Sequence, residues 1–321
     1  MASETLYAGP AKVYHNGVAF FPEGENGMVK FEVDQEKLPA ASGLHGQLRY
    51  QQGDVTGKIS LTPFDNWGIL SVLYPPALGV SVGSVAGVLA IGTKLTTGAA
   101  LVPTTIWVPG DARSYVACNT GIVKPPDLHL GNGKALFGAM EIACVGDPTK
   151  DVGTADFLYA LTETGAADPG GLMTMTDFAR GRWTGVWGTA LPGMQAEEEW
   201  VITCEVKTQA YKIQRLTRLI KLVSVSFMAK ARIVGPTHTV IDTAIGIHAG
   251  RTLGSSFAAT GHDLVLTSTD GKVITLKNAD AVGVGFEFGG SALGTGETGF
   301  VTATTFTGGV ANPMLTFSAL A

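Results

Sequence analysis

The sequence VTGKISL, from Val55 to Leu61, alternates apolar and polar residues and therefore indicates a β-strand with one buried face. The same period of two recurs from Val29 to Val33, from Val223 to Phe227 and from Lys272 to Leu276. Glycine, with 43 residues, and proline, with 15, separate these runs as turn residues do between strands. The chain is predicted to be mainly β.

Two segments have a helical pattern instead. From Phe64 to Leu73 every third residue is apolar, until Pro75 and Pro76 end the run. From Lys212 to Val223 the apolar residues fall on one face of a helix. A few short helices are therefore expected beside the strands.

Composition indicates a chain that hides much of its surface. Apolar residues make up 45% of the 321 residues and charged residues only 15%, with a mean hydropathy of +0.24, whereas soluble proteins average about 25% charged residues. The uncharged stretch between Asp65 and Lys94 is too often interrupted by proline and glycine to form a membrane-spanning helix. The N-terminus lacks a signal-peptide pattern, so we expect a protein made and kept inside a cell, and one that covers its apolar surface with a partner.

The sequence also indicates an internal repeat. The pattern LGxGxxxF occurs from Leu130 to Phe137 and again from Leu293 to Phe300, an offset close to half of the chain. We predict a first domain at residues 1–164, a linker at 165–177 and a degenerate second copy at 178–321. Residues 1–177 carry a net charge of −7 and residues 178–321 a net charge of +2, which suits head-to-tail association between copies.

Catalytic motifs are incomplete. Gly79 to Gly83 match the GxSxG pattern of a serine nucleophile, Ser81, but prolines precede it and no long helix pattern follows. Four histidines could be nominated as its base, and none is favoured: His129, His238, His248 and His262. The two Gly-Lys pairs, at Lys134 and Lys272, lack the rest of a phosphate loop and are interpreted as hairpin turns. The chain is predicted not to be an enzyme and to have no catalytic residues.

No metal or cofactor site is predicted. The six histidines show no ligand spacing (His15, His45, His129, His238, His248, His262), and Cys118, Cys144 and Cys204 are interpreted as small buried apolar residues. The acidic triplet from Glu197 to Glu199 is interpreted as a solvated loop. The basic segment from Lys207 to Arg232 could contact nucleic acid or acidic lipid, but the net charge of −5 favours a solvated face or an interface with an acidic neighbour.

With these features, the chain resembles the major tail tube proteins of long-tailed (siphovirus-type) bacteriophages. The resemblance rests on the opening segment (Tyr7 to Phe21), a strand ending in FEVDQEK, a polar loop from Leu38 to Gln52, the strand VTGKISL and the helix PFDNWGILSVLY. The most similar stretch is DLHLGNGKALFGAMEIAC, residues 127–144. The second half of the chain resembles the family only faintly.

The resemblance implies tandem β-sandwich or barrel-like tail tube domains, each with a short flanking helix. It also implies a virion protein, assembled in the host cytoplasm, whose rings stack around a lumen that conducts DNA without binding it specifically. Its partners would be other copies of itself, the tape measure protein, the tail terminator and the baseplate or distal tail proteins. With two fused domains a ring could be a trimer with pseudo-sixfold symmetry, or a hexamer. The alternatives are another self-assembling virion protein (baseplate, decoration or tail-tip) and a β-rich carbohydrate-binding adhesin.

Overall fold

A computed structural model gives the fold. It describes residues 11–20, 28–42, 44, 46–64, 66–95, 103–108, 113–117, 119–131, 134–146, 159–162, 168, 170, 181–188, 191–213, 216–234, 262–287, 295–302, 306–307 and 310–318. The structure is mainly β, as predicted. Most of the predicted linker lies outside the described residues, so the domain division at 165–177 stays a prediction.

The strands fall into two series along the chain. The first half (residues 1–164) contains β1 (Lys12–His15), β2 (Val18–Phe20), β3 (Lys30–Ser42), β4 (Gly46–Leu61), β5 (Val80–Val82), β6 (Thr104–Val108), β7 (Arg113–Ala117), β8 (Asn119–Lys124), β9 (Leu128–Gly131), β10 (Lys134–Phe137), β11 (Met140–Val145) and β12 (Tyr159–Thr162). The second half (residues 178–321) contains β13 (Trp183–Trp187), β14 (Leu191–Ile213), β15 (Leu216–Val234), β16 (His262–Ser268), β17 (Val273–Glu287), β18 (Thr295–Thr302), β19 (Phe306–Thr307), β20 (Val310–Ala311) and β21 (Leu315–Ser318).

Six strands of the second half pair in a closed circuit. The order is β14, β13, β16, β17, β18 and β15, and β15 pairs again with β14. Every pairing in the circuit is antiparallel. A closed circuit is the arrangement of a small barrel, and β14 continues beyond its short pairing with β13.

The first half forms two sheets with the orders β12-β7-β6-β1-β2 and β3-β4-β11-β8. Their pairings match those of the second half, with β7 and β8 together corresponding to the one long strand β17. The matched pairings are β3–β4 with β14–β15, β4–β11 with β15–β18, β11–β8 with β18–β17, β7–β6 with β17–β16, β6–β1 with β16–β13 and β7–β12 with β17–β21. All twelve are antiparallel. The strand order therefore recurs along the chain.

The register recurs as well. Glu32 faces Lys58 in the first half and Glu205 faces Ser226 in the second. Three residues further along β4 and β15, Leu61 faces Met140 and Ala229 faces Phe300. The same count of residues thus separates the same pairings in both halves.

This register changes the predicted residue match. Phe300 corresponds to Met140, whereas the LGxGxxxF pattern had matched it with Phe137. Phe137 lies on β10, at the end of a hairpin that begins with β9. The pattern match is therefore out of register by three residues, because short matches of Leu and Gly arise easily in a glycine-rich chain.

Two predicted elements are also wrong. Residues 212–223, predicted as a helix, form the end of β14 and the start of β15, because Ile213 faces Leu216 across a hairpin. The polar loop predicted from Leu38 to Gln52 is mostly strand, since β3 and β4 pair along their whole length. The predicted helix from Phe64 to Leu73 is present in shortened form, as a 3₁₀ turn (Trp67–Ile69) followed by α1 (Leu70–Leu73). No helix in the described residues is long and apolar enough to cross a membrane.

One hydrophobic core spans both halves. Trp67 stacks on Trp183 with ring centroids 5.8 Å apart, and Phe317 contacts both Trp67 and Tyr74. The parallel pairing of β5 with β21 adds a backbone link beside this aromatic cluster. The predicted domain division therefore passes through a shared core.

Candidate functional site

The residues singled out from the sequence as chemical candidates are spread over the structure. Ser81 lies on β5 with its hydroxyl oxygen accepting a hydrogen bond from the Gly87 amide at 2.9 Å. A side chain at Gly87 would lie 2.2 Å from the carbonyl of Val80, so this loop packs tightly around the serine. The Ser81 hydroxyl therefore holds a loop in place, and the described histidines lie on other strands.

Three described histidines have three separate environments. His15, on β1, is buried, and burial lowers its pKa to about 4. His129, on β9, lies 3.1 Å from a carboxylate oxygen of Glu199. His262, at the start of β16, contacts the Trp187 ring edge-on. His238, His248 and His45 lie outside the described residues.

The described cysteines are buried and free, as predicted. Burial raises the pKa of the Cys144 thiol to about 12 and also raises that of Cys204, so both thiols are protonated at neutral pH. Cys118 lies outside the described residues. Within the described part of the chain, His, Cys, Asp and Glu form no group of three that could hold a metal ion.

The acidic triplet lies in a strand, so the prediction of a solvated loop was wrong. Glu197 forms an ion pair with Arg232 on β15, at 3.0 Å. Glu199 instead contacts His129 on β9, which lies on the other side of β14. The two carboxylates therefore serve opposite neighbours of one strand and do not converge on a common ligand.

The basic segment from Lys207 to Arg232 forms parts of β14 and β15. Arg232 pairs with Glu197, and Lys221 lies over the ring of Tyr211 with its Nζ 4.7 Å from the ring centroid. At least these two cations are thus engaged by groups of their own hairpin. Whether the segment forms an interface, a solvated face or a contact for phosphates stays a prediction.

The most extensive contact between the two halves, here called the junction, is the pairing of β9 with β14. β9 of the first half pairs antiparallel with the middle of β14, so that Leu130 faces Trp200 and Leu128 faces Ile202. All four of these side chains are at most 2% exposed. The His129–Glu199 contact lies within the same four-residue pairing. The junction is therefore closed by backbone pairing and by an apolar interior.

Residues just before β9 fix its position. The Asp127 carboxylate accepts a hydrogen bond from the Cys204 amide on β14 at 3.3 Å, and the Asp127 carbonyl accepts one from Gly138 at 2.7 Å. The buried Tyr74 hydroxyl donates to the carbonyl of Pro126. The end of the helical segment and the second half thus hold the same short stretch of chain.

A second contact covers the other strand of the β14–β15 hairpin. The amides of Gly92 and Leu95 donate to the carbonyls of Leu222 and Ile220, each at 2.8 Å, and the Leu222 amide donates to Thr93 at 2.9 Å. Segments of the first half therefore pair with both outer sides of this hairpin. The β14–β15 hairpin of the second half therefore lies between two segments of the first half, β9 and residues 92–95.

The sequence did not single out this junction. His129 was considered as a catalytic base and as a metal ligand, and Glu199 as part of a solvated loop, but neither was considered as part of a contact between the halves. The signal that could have located β9, though not its pairing with β14, is LHLG, an alternating run directly before the turn-forming residues Asn132 and Gly133. No known family model matches the chain, and a search of curated proteins also found no match.

Proposed function

We propose that this chain is a structural subunit of a phage tail tube. Copies would assemble into rings, and the rings would stack around a lumen that conducts DNA. The observation that carries the proposal is the junction: a strand of one half extends the sheet of the other, which is how β-rich subunits join edge to edge. This strand, β9, begins the stretch that most resembles the tail tube family.

The charge and surface of the chain support the same proposal. Its net charge of −5 suits a lumen along which DNA moves without adhering. Its low content of charged residues suits a subunit whose surface is covered by neighbouring subunits. The tape measure protein, the tail terminator and the baseplate or distal tail proteins are the further partners of this proposal.

Electron microscopy of the purified protein, with averaging of end-on views, tests the proposal. We expect hollow tubes of stacked rings that form above a threshold concentration. Threefold symmetry of the rings would agree with three chains of two repeats, and sixfold symmetry with six chains. Single rings without tubes would favour a baseplate, decoration or tail-tip protein, and compact monomers at high concentration would contradict self-assembly.

A gel-shift titration with double-stranded DNA tests the proposed role of the lumen. We expect no binding tighter than the non-specific range, that is, a Kd no lower than about 10⁻⁶ M at physiological salt. Sequence-specific or tight binding would contradict a lumen along which DNA slides.

A further inference from the structure

The repeated register identifies an edge of the first half that corresponds to the junction. Val201 and Ile202 lie four and three residues before Glu205 on β14, and they pair with β9. Met28 and Val29 lie four and three residues before Glu32, the counterpart of Glu205. Met28 and Val29 of the first half are therefore the counterparts of Val201 and Ile202, the residues of the second half that pair with β9.

The two places differ in what covers them. Ile202 is 2% exposed beneath its pairing with β9, whereas its counterpart Val29 is only partly buried. Met28 is 77% exposed, whereas its counterpart Val201 is partly buried. Met28 and Val29 come directly before β3, which is the edge strand of its sheet in the described residues. The unpaired edge of a sheet is a template for pairing with a strand of another chain, and an exposed apolar side chain beside it favours such pairing.

We infer that this edge is completed by the second half of another copy of the chain, in the way that β9 of the first half completes β14. The inference rests on the self-assembly in the proposed function and names the contact that produces it. The occupant is a second copy because, inside the chain, a strand of one half already completes the edge of the other half at the position equivalent to Met28 and Val29. The opposite net charges of the two parts of the chain also favour contact between unlike halves.

Repetition of this contact determines the kind of assembly. A contact between unlike surfaces is head-to-tail, and it gives a closed ring when the rotation between neighbours divides a full turn. Each chain contributes one contact within itself and one with its neighbour. A closed ring therefore contains an even number of equivalent repeats, alternating between first and second halves.

Site-specific cross-linking tests this contact directly. A photoreactive amino acid replaces Met28 in unlabelled protein, which is mixed and assembled with ¹⁵N-labelled wild-type protein before irradiation. Mass spectrometry then identifies the linked peptides. We expect links from position 28 to residues 178–321 of the labelled chain. Links only to residues 1–164 of the labelled chain would overturn the inference.

A pair of variants at the same position separates backbone pairing from side-chain contact. Met28→Pro removes the amide and the extended pairing, while Met28→Ala removes only the side chain. We expect Met28→Pro to raise the concentration needed for assembly by about tenfold, since one backbone hydrogen bond is lost and proline disturbs strand pairing, and Met28→Ala to raise it less. Circular dichroism and thermal melting should match those of the wild type, because Met28 is exposed and lies outside the strands.

The outcomes distinguish this inference from the proposed function. If tubes form normally with Met28→Pro, the edge at Met28 is not the contact, and the inference fails while the tail tube proposal stands. If the wild-type protein remains monomeric at every concentration, both fail. If tubes form and Met28→Pro stops assembly with an intact fold, both are supported.

Discussion

His15 lies on β1 in a buried polar row. Its Nδ1 is 2.7 Å from the Thr104 hydroxyl, which is in turn 2.8 Å from the hydroxyl of Thr120. Burial disfavours the charged imidazolium and lowers the pKa of His15 from 6.5 to about 4. The folded protein therefore holds this histidine neutral at a pH at which the unfolded chain protonates it.

The stability of the fold should depend on pH through this residue. Between about pH 6.5 and pH 4 the unfolded state binds the extra proton, so the free energy of unfolding falls as the pH falls through this window. The lowered pKa corresponds to a change of roughly 3 kcal/mol in the free energy of unfolding across this window. Denaturant titrations at pH 7 and pH 4 should show a larger loss for the wild type than for His15→Asn, by about that amount.

The variant isolates the histidine from the carboxylates, which titrate in the same range. Asparagine is neutral at both pH values and retains a nitrogen donor near the position of Nδ1. An equal loss of stability in both proteins would show that the pKa of His15 does not differ between the folded and unfolded states.

At the scale of elements, alternation predicted strands well because it reports which face is buried. Val223 to Phe227 and Lys272 to Leu276 lie in β15 and β17 almost entirely. The same signal says nothing about which strand lies alongside. The junction joins residues 70 positions apart, and no local pattern encodes that pairing. The helix predicted at residues 212–223 failed because apolar residues on two strands of a hairpin mimicked a helical period.

The segment at residues 92–95 gives an element-scale prediction. The Leu95 amide donates a hydrogen bond to the Ile220 carbonyl, and this is one of the three hydrogen bonds described above that attach the segment to β15. Leu95→Pro removes that donor, so the segment should detach and expose the Leu222 amide to solvent. Hydrogen exchange followed by mass spectrometry should show faster exchange at Leu222, by about tenfold or more, since its protecting partner opens.

Leu95→Ala is the matched control, since it shortens the side chain but keeps the amide. Exchange at Ala229 should stay slow in both variants, because β15 lies there between β14 and β18. Unchanged exchange at Leu222 in Leu95→Pro would mean that β15 does not depend on this segment for protection.

At the scale of the whole molecule, the two halves repeat one strand order yet share one interior. The stacked pair of Trp67 and Trp183 and the contacts of Phe317 join side chains from both halves. Each half supplies part of the surface that the other buries. The repeat in the sequence predicts two tandem domains, and the aromatic cluster shows that side chains of both halves pack in one core.

This sharing predicts that separate halves bind each other. Residues 178–321 produced alone would expose Trp183, Phe317 and the side of β14 that β9 covers, so this fragment should be unstable or aggregate. Co-expressed with a tagged fragment of residues 1–164, it should co-purify, because the aromatic cluster and the β9–β14 pairing reform. Trp67→Ala in the tagged fragment should reduce the recovered partner strongly, since truncating a buried tryptophan costs about 3–5 kcal/mol. Two fragments that each remain monomeric, folded and separate would show that the halves are independent domains.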